Sequence, residues 1–350
     1  MNLTDDWLLD DPTMGHSRRV TQFALFLLWL ADGHTINGNF IKAATMENYL
    51  RSIGTLIKHR TGRDPRYDNA GDKKMSDRLH VILDEIKRWE RVPNKKRPYT
   101  HKMHKVLMAM AAKTNAHEDS ALAAAVNWFA VNLQLGCRLQ EWAQSDDNRK
   151  LGAHAFVEGF GARAFTLSDL SFKDIDGRKV SLEAFLADES KVQTIEFCWR
   201  VQKNRQNGET LSYDRNTTDT AGCMVRNMWQ ILHRFKRLIG LHEQHTPIAV
   251  YNAPGEGIIH MHKSIVDKIL QTVAMRTYHL TPEEALDYTS HSLRIGACVL
   301  LHMAGADEKT LKQLLRWRSN AFMEYLRQLP RIRQLHNDAI SLAIAESHLY

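Results

Sequence analysis

Apolar residues recur at helical spacing through the first quarter of the chain. An apolar stretch from Val20 to Ala31 predicts a first helix, and a patterned stretch from Ile41 to Ile57 predicts a second. A loop rich in Gly, Asp and Pro follows, from Thr61 to Lys73. Leu79, Val81, Ile82, Ile86 and Trp89 then predict a third helix from about Ser76 to Arg91. The segment VPNKKRPYT breaks this pattern with two prolines and a basic triplet, so it reads as a linker. The expected division is an all-helical domain over 1–98 and a second domain over 99–350.

In the second domain Thr100 to Thr114 and Asp119 to Leu135 predict two helices. Asp119 or Ser120 serves as N-cap of the latter, and Gly136 ends it. Strand signals follow. Ala164 to Asp169 is short and alternating, and Ile175 to Lys179 contains an Asp-Gly turn. Ile195, Phe197, Trp199 and Val201 alternate with Glu196, Cys198 and Arg200, which predicts a half-buried strand. Asn207-Gly208 turns it into a hairpin returning through Glu209 to Tyr213. From Thr220 onward the pattern reads as helical. The expected fold class is therefore mainly α with a small antiparallel β-sheet in the second domain.

A chain of 350 residues with 43% hydrophobic and 25% charged residues suits two globular domains. Its net charge of +7 is a modest basic excess, and its distribution says more. Eight Lys and Arg fall between Lys87 and Lys105 against Glu90 alone, and five arginines between Arg316 and Arg333 against Glu324 alone. Either run by itself is as well explained by a solvated face. The four cysteines form no C-x-x-C pair, which argues for reduced thiols and against a zinc ribbon. The longest apolar run, Phe23 to Ala31, is less than half a membrane span, and the acidic start MNLTDDWLLDD lacks the basic region of a signal peptide. No membrane partner is expected. His260 and His262 are too few ligands for a metal site in a chain with 18 histidines.

The candidate chemistry lies in scattered residues. The helix SHSLRIGACVLLHMAG, capped by Thr289 or Ser290 and stopped at Gly305, carries His291 and Arg294 on one face of its first turn. That turn holds the positive end of the helix dipole, a favourable place for a phosphate. Arg138 follows the helix stop Gly136, and a guanidinium there suits two phosphate oxygens at once. Glu141 is a supporting carboxylate that orients an arginine or caps the next helix. Tyr325 lies eight residues beyond Trp317 in RWRSNAFMEYLR, flanked by Arg316 and Arg318. Each of these residues has an ordinary structural explanation when taken alone.

Taken in order, Gly136-Cys-Arg138-Leu-Gln-Glu141, His291-Ser-Leu-Arg294, Trp317 and Tyr325 resemble the tyrosine recombinase (phage integrase) family. The W-R-S-x-A-F-x-x-Y spacing is similar to eukaryotic mobile-element recombinases of the Crypton and DIRS type. The resemblance implies a SAM-like helical core-binding domain followed by an integrase-type catalytic domain. It further implies DNA strand exchange through a 3′-phosphotyrosine formed by Tyr325, without metal, ATP or another cofactor. Arg138, Arg294 and the Trp317 indole N–H would stabilise the phosphate under attack, and His291 would accept the tyrosine proton or hold the phosphate. Lys203, near the end of the alternating strand, would protonate the leaving 5′ oxygen, with Lys191 and Arg205 as alternatives. Lys95, Lys96, Arg97, Arg316 and Arg318 are expected to touch neighbouring phosphates. The expected partners are double-stranded DNA and three further copies of the chain, with an apolar stripe in Gln334 to Tyr350 available to dock on a neighbour. The place of action would be a nucleus in a eukaryote, or the cytoplasm and nucleoid in a prokaryote. Two alternatives remain: a non-catalytic DNA-binding protein derived from a mobile element, and a type IB topoisomerase-like relaxing enzyme.

Overall fold

The computed structural model describes residues 13, 15–33, 40–69, 71–90, 95–152, 156–157, 161–202, 207–317 and 319–326. Lys203, Arg205, Arg318 and the stretch from Gln334 to Tyr350 lie outside the described residues. The chain divides into two compact units, Met1–Pro93 and Asn94–Tyr350. The basic triplet Lys95, Lys96 and Arg97 thus belongs to the second unit, whereas the sequence pattern grouped it with the first.

The first unit contains α1 (His16–Ala31), α2 (Ala43–Thr61) and α3 (Asp77–Trp89). Their buried stripes, Val20, Phe23, Leu27 and Leu30 on α1 with Met46, Leu50 and Ile57 on α2, meet Leu79 and Leu83 of α3 in one small core. Gly62 ends α2 in the left-handed region, and the Ser76 hydroxyl caps α3 by accepting from the Arg78 N–H. The apolar face of α3 differs from the expected one. Leu79 and Leu83 are buried, while Val81 and Trp89 are 68% and 81% exposed. Ile82 and Ile86 pack half-buried against the same core, so the expected set fails only at Val81 and Trp89.

The second unit is built around α5 (Ala121–Leu135), which follows α4 (His101–Lys113). Trp128, Phe129, Val131 and Leu135 of α5 are all buried, as expected of a helix apolar on most faces. The Ser120 hydroxyl caps α5, whereas Asp119 is taken up by Arg237 at 2.5 Å. Beyond it come the short α6 (Leu139–Trp142), the two-residue pair β1 (Phe156–Val157) and β2 (Gly161–Ala162), then β3 (Leu170–Lys173), β4 (Lys179–Val180), α7 (Leu182–Ala187), β5 (Thr194–Trp199) and β6 (Glu209–Asp214). The four strands β3 to β6 form one antiparallel sheet in the order β4-β3-β5-β6. In the β5–β6 hairpin Ile195 pairs with Tyr213 and Trp199 with Glu209, so residues 200–208 connect the strands. Asn207-Gly208, with Gly208 at φ 85°, ends that connection instead of forming the expected two-residue turn. Burial alternates along β5 as the sequence predicts. The strand expected at Ala164–Asp169 is displaced. Thr166 and Asp169 bond to one another around a 3-10 turn at Leu167–Asp169, and β3 begins only after it.

The chain continues as α8 (Met224–Leu238), β7 (Val250–Ala253), β8 (Gly257–His260), α9 (Lys263–Tyr278), α10 (Pro282–Ala285), α11 (His291–Met303), α12 (Glu308–Leu314) and α13 (Met323–Leu326). The β7–β8 hairpin contradicts the expectation of helix throughout this region. Its strands flank Pro254-Gly255, and the left-handed Gly255 and Gly257 close the turn. The architecture is mainly α with small antiparallel sheets. Among the described residues no helix is long and apolar enough to cross a membrane.

Two glycines set how closely the site-bearing elements approach. Gly136 ends α5 at φ 54°, and a Cβ there would collide with Leu315. Gly296 lies on α11 where the segment before α4 crosses it, and a Cβ there would collide with the Tyr99 carbonyl. At this crossing the Tyr99 N–H donates to the Ser292 carbonyl at 2.9 Å. The segment that carries the basic triplet is thereby stitched to the helix that carries His291 and Arg294.

Candidate active site

Gly136 ends α5 in the left-handed region, and Arg138, two residues on, is the N-cap of α6. Glu141, three residues on, accepts the Arg138 backbone N–H at 2.9 Å and its guanidinium at 2.9 Å. It thus caps the helix and orients the arginine, the two roles the sequence allowed it. The Arg138 side chain remains 30% exposed, so its outer edge can still meet a ligand.

Arg294 is buried on α11 and spans two chain ends. Its guanidinium donates to the Gly136 carbonyl at the end of α5 and to the Leu315 carbonyl at 2.6 Å. Both acceptors are carbonyls at helix C-termini, a natural place for a cation. Burial, with the Arg138 charge second, pushes the Arg294 guanidinium down to about 9. The group stays charged at neutral pH, with Glu141 pulling against the burial and against the Arg138 charge. Three guanidiniums, Arg138, Arg294 and Arg316, act on the single buried carboxylate Glu141. Such a cluster has an excess of positive charge at the start of a helix, which suits an anion.

Trp317 and Tyr325 close the other side. The Arg294 guanidinium lies 5.0 Å from the Trp317 ring, and the Trp317 and Tyr325 rings meet edge to face with centroids 5.6 Å apart. Phe322, Leu311 and Leu315 form a small separate core beneath them. Among the described residues the buried indole N–H of Trp317 has no acceptor, a state shared with Trp128, Trp199 and Trp229. What distinguishes Trp317 is therefore its place beside Arg294 and Tyr325, not the unsatisfied N–H alone.

His291 Nε2 lies 2.9 Å from the Tyr325 hydroxyl oxygen. Burial, and after it the Arg294 charge, hold the imidazole below its ordinary value, so it is neutral at pH 7. Burial and then Glu324 raise the Tyr325 phenol, against a lowering pull from Arg294. The pair is thus a protonated phenol beside a neutral imidazole, which in the tautomer with the proton on Nδ1 presents Nε2 as the acceptor that a proton transfer from Tyr325 requires. The expected side-chain cap of α11 is absent among the described residues. Instead the Ser290 N–H donates to Asp267 at 2.6 Å, and the Thr289 N–H donates to the Ser292 hydroxyl at 3.0 Å.

The structure therefore brings together Arg138, Glu141, His291, Arg294, Trp317 and Tyr325, drawn from four separate parts of the second unit. Lys203 lies outside the described residues. Its sequence alternative Lys191 is exposed at the end of a 3-10 turn. Of the basic triplet, Lys95 lies 3.9 Å from Glu324, Arg97 lies 3.6 Å from Asp287, and Lys96 donates to the Leu286 carbonyl at 2.9 Å. Exposed pairs of this kind contribute little, about 0–1 kcal/mol, and can be exchanged for phosphate contacts.

Arg316 departs from expectation. Instead of facing a neighbouring phosphate, its side chain is wholly buried and bound to Glu141 at 2.9 Å. Nothing in the sequence separates this inward arginine from the basic run around it. Among the described residues no group of three or more His, Cys, Asp or Glu is placed to hold a metal ion. His260 and His262 are both buried, with His262 Nδ1 3.0 Å from the His260 carbonyl.

No protein-family model and no curated protein matches the chain. Among solved structures it is similar to the Tn1549 transposon integrase in complex with transposon right end DNA. The TM-score is 0.43 at 11% identity, over 95% of this chain and 87% of that one. The same integrase in complex with circular intermediate DNA gives a TM-score of 0.40 at 12% identity, over 89% and 81% of the two chains.

Proposed function

We propose that the chain is a DNA breaking and rejoining enzyme of the tyrosine recombinase type. The observation that carries this reading is the hydrogen bond between His291 and Tyr325 beside the buried Arg294 and the outward-facing Arg138. A lone phenol with pKa ~10 attacks poorly at neutral pH. Here it has a proton acceptor in place and two guanidiniums to hold the phosphate it would attack.

In this reading a DNA phosphodiester binds between Arg138, Arg294 and the Trp317 N–H. The Tyr325 oxygen forms a bond to phosphorus, its proton passes to His291, and the bond from phosphorus to the 5′ oxygen breaks. That oxygen takes a proton from a general acid, the role assigned to Lys203. The 3′-phosphotyrosine retains the bond energy, and the 5′ hydroxyl of another strand reverses the steps to rejoin it. Neither ATP nor a metal enters this balance. Each chain supplies one nucleophile, so exchange between two duplexes calls for four chains. Lys95, Lys96 and Arg97 are proposed to meet the duplex backbone, where each would steepen the salt dependence of binding. The enzyme would act where chromosomal DNA is, in a nucleus or a nucleoid.

The test is incubation of the chain with duplex DNA nicked close to the cut site, so that a released fragment cannot religate. A covalent adduct stable to denaturant is expected, and product joined from two separate duplexes would mark a recombinase. Relaxation of supercoiled DNA without such joining would identify a topoisomerase. Binding without any adduct would identify a DNA-binding protein that lacks the reaction.

A further inference from the structure

Arg316 occupies a left-handed backbone position, φ 54°, that side chains with a Cβ adopt at a cost. Its guanidinium points inward and is fully enclosed. It donates to Glu141 Oε2 at 2.9 Å and to the Leu135 carbonyl at 3.3 Å, and its carbon lies 3.9 Å from the centre of the Trp199 ring. Glu141 Oε2 also accepts the backbone N–H of Arg138, and Oε1 accepts the Arg138 guanidinium. The residues on either side of Arg316 enter the site as well. The Leu315 carbonyl accepts from Arg294, and the Trp317 ring lies against Arg294 and Tyr325. One buried side chain is therefore a single carboxylate away from Arg138 and a single peptide away from both Trp317 and the acceptor that fixes Arg294. It also stacks on the last residue of β5, the strand that leads in sequence towards Lys203.

We propose that Arg316 is a positioning residue for the phosphate site, a role that rests on the function proposed above. Through Glu141 it fixes the Arg138 guanidinium, and through its own backbone it fixes the Leu315 carbonyl and the Trp317 indole, without touching DNA. The planar fork is needed for this. It bonds a carboxylate and a carbonyl while presenting a face to Trp199, and an ammonium group cannot do all three. A buried ion pair that served only the fold would alter stability and leave the rate of the folded enzyme unchanged. An arginine that contacted DNA would alter the salt dependence of binding.

The experiment uses the full chain with Arg316→Gly, which removes the guanidinium and relieves the left-handed backbone. DNA affinity and its salt slope should stay as in the unsubstituted chain, single-turnover adduct formation should slow at least about tenfold, and added guanidinium ion should restore part of the rate. A salt slope reduced by about one would make Arg316 a phosphate contact and overturn the proposal. An unchanged rate would overturn it too. If Arg316→Gly does not fold, Arg316→Lys is measured in the same way, with a slowed rate at unchanged salt slope expected and an unchanged rate contradicting the proposal. If the unsubstituted chain forms no adduct, the proposed function fails, and inorganic phosphate binding decides the role of Arg316. Binding weakened about fivefold in Arg316→Gly supports it, whereas equal affinity or no binding in either protein overturns it.

Discussion

His291 Nε2 and the Tyr325 hydroxyl are 2.9 Å apart although 34 residues separate them in the chain. The contact joins the first turn of α11 to α13, and the imidazole and phenol are each shifted in the direction that keeps the proton on tyrosine before reaction.

This pairing fixes the pH dependence of cleavage. Protonated His291 cannot accept the phenol proton, so the rate should fall at low pH. Because burial and Arg294 lower the imidazole pKa, the fall should occur below the ordinary histidine value of ~6.5, with a level rate from there to about pH 8. His291→Asn should slow single-turnover adduct formation by roughly 10² or more and remove the acid limb. An acid limb that persists in His291→Asn would assign the proton acceptor elsewhere.

Trp317 makes two separable contributions, ring packing and an N–H. Trp317→Phe keeps an aromatic ring against Tyr325 and Phe322 but removes the donor. Adduct formation should slow by about 10² while DNA affinity changes little, as expected for a donor used only in the transition state. A wild-type rate would reduce the role of Trp317 to packing.

Glu141 should matter for stability as well as orientation. Burial would raise its carboxyl, but Arg316 and then Arg294 overcome this and hold it below the ordinary carboxylate range. A carboxylate lowered in this way stabilises the fold above its unfolded value, ~4.3, and the contribution is lost as pH falls through the lower folded value. Glu141→Gln leaves the buried Arg316 guanidinium without its counter-charge and should cost about 3–5 kcal/mol near neutral pH. Denaturant unfolding of the two proteins between pH 3 and 7 checks this, and the difference should shrink towards the acid end.

The approach of α11 to the segment before α4 can be tested separately. Gly296→Ala places a methyl against the Tyr99 carbonyl, which side-chain rotation cannot relieve. A loss of about 1–3 kcal/mol is expected from overpacking, with a lower melting temperature. A neutral effect would mean that the crossing is looser than the structure shows.

The sequence carried the periodic features and those that depend on residue order. The alternation in β5 is local and is found as expected, whereas Asn207-Gly208 is not a two-residue turn but the end of a longer connection, because Trp199 pairs with Glu209. The set Arg138, His291, Arg294, Trp317 and Tyr325 was legible through a resemblance of order, and the structure brings those five side chains into one site. Features that depend on tertiary partners were not legible. Val81 and Trp89 have helical spacing but face outward, and β7–β8 hides in a stretch that resembles helix. Arg316 reads as part of a basic patch because its partners Glu141, Leu135 and Trp199 are more than a hundred residues away.

The most direct test of the account is to isolate the protein–DNA adduct from a nicked duplex, digest it with protease and locate the attached nucleotide by mass spectrometry. The account predicts the nucleotide on Tyr325, joined through a 3′ phosphate, and no adduct from Tyr325→Phe. Attachment at any other residue, or an adduct that persists in Tyr325→Phe, would contradict it.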